Sequence, residues 1–315
     1  MTVIAKVALD LPLSHLDQVF DYSVPEAMVN DAVVGARVRV RFAGRKLDGW
    51  ITDLAADSEI AQLSPITKVV SAEPIMRPEL VRLIRTVADH YAGTFSDVMR
   101  LAVPPRHART EKAEQQPWPE NTCELEPQVL PQYHSGASFL AALQRGRSPR
   151  AFWQVAPTAS LVGDWAVGIA EAVTATRQAG KSALVLVPDE RDVQLTHSVL
   201  AERFGKRGVG ILHNGLGPSR RYRNYLAATR GVAKIMVGTR AAVFTPMPEL
   251  GLIALWDDGD DLYAELHAPY PHARQVVGIR TLQQGNALLL AARGRSTEIQ
   301  NWLAHNWIAP ISMPA

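Results

Sequence analysis

Five basic side chains crowd one short stretch: Arg37, Arg39, Arg41, Arg45 and Lys46. Within it arginines alternate with Val38, Val40 and Phe42, so an extended chain puts apolar groups on one face and guanidiniums on the other. Such a row can neutralise phosphates and release their counterions. A solvated strand face accounts for the same spacing without a ligand. A second cluster, Asp257, Asp258, Asp260 and Asp261, is acidic and fits either a solvated loop or a divalent-cation site. His213, His267 and His272 show no metal-ligand spacing with one another. The single cysteine, Cys123, excludes an internal disulfide and a cysteine-rich zinc site.

The elements that must position these groups follow from pattern. A chain of 315 residues can bury a sizeable core in two or three domains. Its net charge is only +2, so any nucleic-acid surface has to be local. The N-terminus lacks the apolar core of a signal peptide, and the richest apolar stretch, at 287–292, is too short to span a bilayer. A cytoplasmic protein with no membrane partner is expected. Residues 1–74 read as β-rich, with strands over 3–9, 33–42 and 49–54 and a glycine turn at 43–45. A helix over 77–91 has Pro78 in its first turn and Leu80, Leu83, Ile84 and Val87 on one face. The segment 104–136 is rich in Pro, Glu and Gln and reads as an extended, mobile linker. Beyond it, helices over 137–144, 165–178 and 191–204 alternate with strands over 152–155, 183–187, 209–212, 233–237 and 252–255. That alternation predicts a parallel-sheet α/β domain.

Several local sequences share one resemblance. They are FDYSVPEAMVNDAVVGARVRVRFAGRKLDGWI at 20–51, Ser71-Ala72-Glu73-Pro74, LVPDERD at 186–192, LHNGL at 212–216, VGTRA at 237–241, FTP at 244–246 and YPHAR at 270–274. In that order they resemble the N-terminal half of the PriA family of replication-restart proteins. The resemblance implies an α/β fold with a small β-rich DNA-binding domain at 1–103, a linker at 104–136 and a RecA-like helicase lobe at 137–315.

In that family the first domain cradles the 3′-terminal nucleotide of a nascent strand. Phe20 and Asp21 match the two principal roles. A ring stacks a base, worth roughly 1–3 kcal/mol, and a carboxylate accepts a hydrogen bond from the 3′-hydroxyl. Tyr22 stands beside them, with barrel core as the alternative for both aromatics. Gly44 falls where backbone approaches the ligand, and Arg39, Arg41 and Arg45 are placed for phosphates. Ser64 stands where the family has a lysine, with Lys68 four residues on. Arg240, of the Gly-Thr-Arg motif, lies on the DNA side in helicase cores; a structural salt bridge is the alternative.

The resemblance also marks where an ATPase site would be. A phosphate loop needs glycines, whose backbone N–H groups wrap the phosphates, and a lysine that reaches them. The equivalent stretch, APTASLVG at 156–163, keeps Thr158 and Ser160 but has Ala156, Ala159 and Leu161 for the glycines. Val162 replaces the lysine, and Gly163 replaces the hydroxyl that would ligate Mg²⁺. The acidic motif becomes Trp256-Asp257-Asp258-Gly259, and the third motif AARGRS at 291–296. No catalytic residue, no metal and no ATP, Mg²⁺ or zinc cofactor is therefore expected. The resemblance implies a second lobe and zinc-binding cysteines that this sequence does not include, as expected either of a fragment of a longer protein or of a gene encoding only the front half. The leading expectation is a DNA-binding protein that recognises arrested nascent strands at stalled forks and promotes replisome reloading. Primosome proteins and single-stranded-DNA-binding protein are its implied partners. The alternatives are an active ATP-dependent 3′–5′ helicase, against which Val162 argues, and a protein-interaction scaffold.

Overall fold

The computed structural model describes residues 3–119 and 123–314; residues 120–122 of the expected linker lie outside these. The chain divides into unit 1, residues 1–104 with 266–271, and unit 2, residues 105–265 with 272–315. No described helix is long and apolar enough to cross a membrane.

Unit 1 is built on five antiparallel strands: β1 (Val3–Leu9), β2 (Val19–Val24), β3 (Arg37–Phe42), β4 (Arg45–Ala55) and β5 (Lys68–Ser71), in the order β2-β1-β4-β3-β5. Alternation does the work. Val38 and Val40 point into a core with Tyr22, Val24, Ile51 and Ile66, while Arg39 and Arg41 point out. The expected strand over 33–42 begins only at Arg37, because Gly35 turns the chain at φ +88° and a Cβ there would lie 2.4 Å from the Met76 carbonyl oxygen. β3 and β4 join through a two-residue turn, Ala43 and Gly44, both at positive φ, the hand that matches strand twist. Helices α1 (Pro78–His90) and α2 (Phe95–Ala102) follow. α2 opens on a capping box in which Thr94 and Asp97 satisfy each other's backbone N–H.

Unit 2 contains α3 (Ala108–Lys112), α4 (Gly136–Gln144), β6 (Arg150–Gln154), α5 (Trp165–Gln178), β7 (Ser182–Leu186), α6 (Glu190–Phe204), β8 (Gly210–Leu212), α7 (Pro218–Thr229), β9 (Ile235–Gly238), β10 (Leu250–Trp256), α8 (Ala273–Gln284), β11 (Ala287–Ala292), α9 (Thr297–Ala304) and β12 (Ala309–Ile311). Its seven strands pair in parallel in the order β12-β6-β11-β10-β7-β9-β8. This is the α/β arrangement expected of a RecA-like lobe. β7 and β11 are buried at every residue, as strands covered on both faces must be. β6, β11 and β10 are neighbours, so the segments after them emerge side by side at the carboxyl edge. That adjacency gathers the three degenerate motifs.

The described residues of the segment expected to be a mobile linker instead form a strap on unit 2. Val129, Leu130 and Tyr133 belong to the unit's buried core. Glu171 of α5, fully buried, accepts hydrogen bonds from the backbone N–H of Gln128, Val129 and Leu130 at 2.6, 2.8 and 2.9 Å. A Pro- and Glu-rich composition describes what the strap shows to solvent. It is silent about three apolar anchors and a carboxylate supplied forty residues later in the chain.

Candidate nucleic-acid interface

The β1–β2 pairing sets Lys6 opposite Asp21 and Val7 opposite Phe20. Lys6, Phe20 and Asp21, with Ser58 and Ile60 from the segment after β4, line an open cleft of about 880 Å³. Phe20 is half-buried and lies edge-on to Phe42, ring centroids 4.8 Å apart. Asp21 Oδ2 accepts a hydrogen bond from the Ser58 hydroxyl at 2.6 Å, and Asp21 Oδ1 lies 3.9 Å from Lys6 Nζ. Asp57 and Glu59 line it too, so the cleft combines an aromatic surface, one ammonium and three carboxylates, of which Asp21 is already engaged by a hydroxyl. Ser64 and Lys68, the positions weighed for a phosphate-binding lysine, do not line the cleft; its cation is Lys6.

Tyr22 does not join this site. Its ring is 4 % exposed and its hydroxyl donates to the Arg41 carbonyl oxygen at 3.2 Å. Burial pushes its phenol pKa up. The core alternative therefore holds for Tyr22, whereas Phe20, on the same strand face, sits at the open end. Gly44 lines the hairpin turn rather than the cleft, and a Cβ there would meet nothing within 4 Å, so its φ of +78° is what calls for glycine.

The basic face is partly neutralised. Arg39 lies opposite Asp48 in the β3–β4 register, and both Arg37 and Arg39 bond its carboxylate at 2.7 Å. Burial pushes the Asp48 pKa up, but Arg39 and Arg37 together outweigh it and hold the group below its usual value. Arg39 therefore carries a structural role that the sequence reading did not give it. Arg41, Arg45 and Lys46 are exposed and have no carboxylate partner among the described residues. Arg240 is likewise committed. It bonds Glu265 at 2.8 Å and the carbonyl oxygens of Leu262 and Ala264 at 3.0 and 3.1 Å, the salt bridge weighed as the alternative to a DNA contact.

The segment 156–163 is closed on itself. The Tyr133 hydroxyl accepts from the Ala156 N–H at 2.9 Å and donates to the Val162 carbonyl oxygen at 2.6 Å. The N–H groups of Thr158, Ser160, Gly163 and Asp164 bond within the segment, to Ala156 O, Thr158 Oγ1, Ser160 O and Leu161 O. A phosphate cradle needs those donors free. Gly163 is glycine because a Cβ would lie 2.1 Å from the Thr158 carbonyl oxygen. Asp164 caps α5 by accepting from the Val167 N–H, so a carboxylate already occupies the helix end that would attract phosphate. Trp165 and Trp256 stack at 4.4 Å with ring planes 4° apart. These residues do not fit ATP with Mg²⁺.

The acidic run is structural where it is buried. Asp258 bonds Arg274 at 3.1 Å and the Ser296 hydroxyl at 2.6 Å, tying the segment after β10 to α8 and α9. Burial, then Asp260 and Asp258, push the Asp257 pKa up. Among the described residues no three His, Cys, Asp or Glu side chains are gathered as metal ligands. His272 caps α8 through Nδ1, which accepts the Arg274 N–H at 3.2 Å, and burial with Arg274 lowers its pKa from 6.5 to about 4. Folding thus favours the neutral ring. That contribution is complete above pH 6.5 and is lost as pH falls through about 4. His272→Asn keeps a capping acceptor that does not titrate. It is expected to flatten the acid-side fall in melting temperature within that window, and equal falls in both proteins would contradict the assignment.

Sequence reasoning missed Lys6, Ser58 and Tyr133. Lys6 was findable once β2 was recognised, because antiparallel register alone sets it across from Asp21. Ser58 and Tyr133 act through irregular segments and left no periodic signal.

Comparison with known proteins agrees with this geometry. Residues 6–104 match the 3′DNA-binding domain family of PriA. The chain is 43 % identical over 307 residues to replication restart protein PriA of Mycobacterium tuberculosis, covering 95 % of this chain and 46 % of that protein. It is 40 % identical to the Mycobacterium leprae protein of that name, covering 94 % and 46 %, and 27 % identical to that of Treponema pallidum, covering 93 % and 44 %. The chain thus spans about half the length of the curated relatives it matches. Among solved structures, the DUF1998 helicase MrfA bound to DNA aligns over 50 % of this chain and 22 % of that one, at 13 % identity and a TM-score of 0.36, too low to define a shared fold. With residues 6–104 matched to the DNA-binding domain and the similarity running on through unit 2, the chain is a counterpart of the N-terminal half of the PriA replication restart proteins.

Proposed function

We propose that this chain binds arrested replication forks by seating the 3′ end of a nascent strand in the Phe20–Asp21 cleft, and that it serves replication restart without hydrolysing ATP. The observation that carries the reading is the convergence of Phe20, Asp21 and Lys6 on one cleft. Phe20 stacks the terminal base, which tolerates any sequence. The 3′-hydroxyl donates to Asp21, joining or replacing Ser58. Lys6 neutralises the terminal phosphate, and Arg41, Arg45 and Lys46 meet phosphates further along the duplex.

Hydrolysis would need charge and free donors around the transferred phosphoryl group. Val162, the N–H groups of Ala156, Thr158, Ser160 and Gly163, already bonded, and the Trp165–Trp256 stack supply neither. On this reading the chain works without ATP, Mg²⁺ or zinc and helps reload the replisome in the cytoplasm with primosome proteins and single-stranded-DNA-binding protein. The scaffold reading differs in that partner binding would survive loss of the cleft.

Fork binding measured by fluorescence anisotropy tests the proposal. A fork whose nascent 3′ end reaches the junction should bind roughly tenfold more tightly than a fork with no nascent strand, the scale of one stacked base. Equal affinities would contradict it, and DNA-stimulated ATP turnover would overturn its second half.

A further inference from the structure

We infer that unit 2 carries a second nucleic-acid site, between the strap and α7, that takes a phosphate-bearing segment of a single strand. The inference goes beyond the 3′-end reading and does not depend on it. A pocket of about 350 Å³ is lined by Arg207 from the segment between α6 and β8, by Arg223 and Leu226 of α7 and Arg230 at its C-cap, and by Glu114 and Trp118 of the strap. Residues 223, 226 and 230 fall on one face of α7 by helical spacing.

Charge makes this pocket unusual within the molecule. Arg37 and Arg39 meet Asp48, Arg106 meets Glu111, Arg240 meets Glu265 and Arg274 meets Asp258. Arg207 and Arg223 are exposed, face the same cavity as Arg230, and have no carboxylate partner among the described residues. Glu114 in the lining offsets one of these charges, and an anion would meet the positive charge that remains. Arg230 is already oriented, donating to Gln115 Oε1 at 3.1 Å and to the Glu111 carbonyl oxygen at 3.3 Å. Its side-chain entropy is lost before any ligand arrives.

Size and lining select the ligand. The cavity has the volume of a small-molecule site and admits one nucleotide unit, not a duplex. Trp118, half-buried, supplies aromatic surface beside the guanidiniums, the combination that holds single strands without reading sequence, while Leu226 is buried. Trp118 is held against β8, where a Cβ on Gly210 would lie 2.9 Å from its ring. An acidic peptide would engage the arginines but make less use of the aromatic floor.

The test uses the full chain and an oligothymidylate of about twelve nucleotides ending in a 3′-phosphate. That end withholds the hydroxyl contact of the other cleft, so the two sites fail separately. Arg207→Gln with Arg223→Gln, both at exposed positions, is expected to weaken binding roughly tenfold at low salt. It should also reduce the slope of log affinity against log salt by about 1.4, two single-strand phosphate contacts. Unchanged affinity and slope in the doubly substituted protein would overturn the inference. So would an Asp/Glu-repeat peptide that binds through these arginines while the oligothymidylate ignores them.

Discussion

Phe20→Ala is expected to weaken binding of a fork with a nascent 3′-hydroxyl by roughly 5- to 150-fold, the equivalent of 1–3 kcal/mol of base stacking. Phe20 also packs edge-on against Phe42, so alanine removes packing as well as a stacking surface. Phe20→Leu separates the two effects. It keeps apolar volume at the rim of the unit 1 core, so the melting temperature should hold while affinity falls nearly as far as in Phe20→Ala. Affinity restored by leucine would mean that Phe20 acts only as core. Asp21→Ala should cost a further charge-assisted hydrogen bond, about 1.5–3 kcal/mol, and leave the Ser58 hydroxyl without its acceptor.

The second large effect concerns the strap. Glu171→Ala is expected to destabilise unit 2 by about 3–6 kcal/mol, because three backbone N–H groups lose their acceptor together. That is a large share of the stability of a typical domain. Two consequences should appear together: a lower urea midpoint and faster proteolytic cleavage within 105–130. Glu171→Gln keeps one carbonyl acceptor and should fall between. A change within about 0.5 kcal/mol, as for an ordinary surface residue, would mean that the strap is the linker its composition suggests. Loosening the strap should also free the Tyr133 hydroxyl from Ala156 and Val162, so segment 156–163 would loosen with it.

What was legible in the chain follows a physical line. The α/β unit announced itself through buried strands such as β7, where every residue is apolar or small and both faces are covered. The alternation of β3 was equally plain. β2 was not, because only Tyr22 and Val24 of its six residues are buried, too few to show a period of two. The run at 287–292 was weighed only as a membrane span, yet it is the buried strand β11 between β10 and β6. At the site, residue types pointed to Phe20 and Asp21, which share a cleft, but charge alone did not show that Arg39 and Arg240 are already paired. Each has a carboxylate partner, Asp48 or Glu265, that only folding brings near. The lost nucleotide chemistry was legible as substitutions. The tie through Tyr133 and the Trp165–Trp256 stack was not, since each joins segments far apart in the chain.

The central claim is that Asp21 reads the free hydroxyl of a nascent strand. The most direct measurement compares two forks that differ only at that atom, one ending in a 3′-hydroxyl and one in a 3′-phosphate, by equilibrium anisotropy with wild-type and Asp21→Ala proteins. The account predicts at least roughly tenfold tighter binding of the hydroxyl end by the wild type, the scale of one charge-assisted hydrogen bond, and loss of that preference in Asp21→Ala. Equal affinity of the wild type for both ends would contradict it.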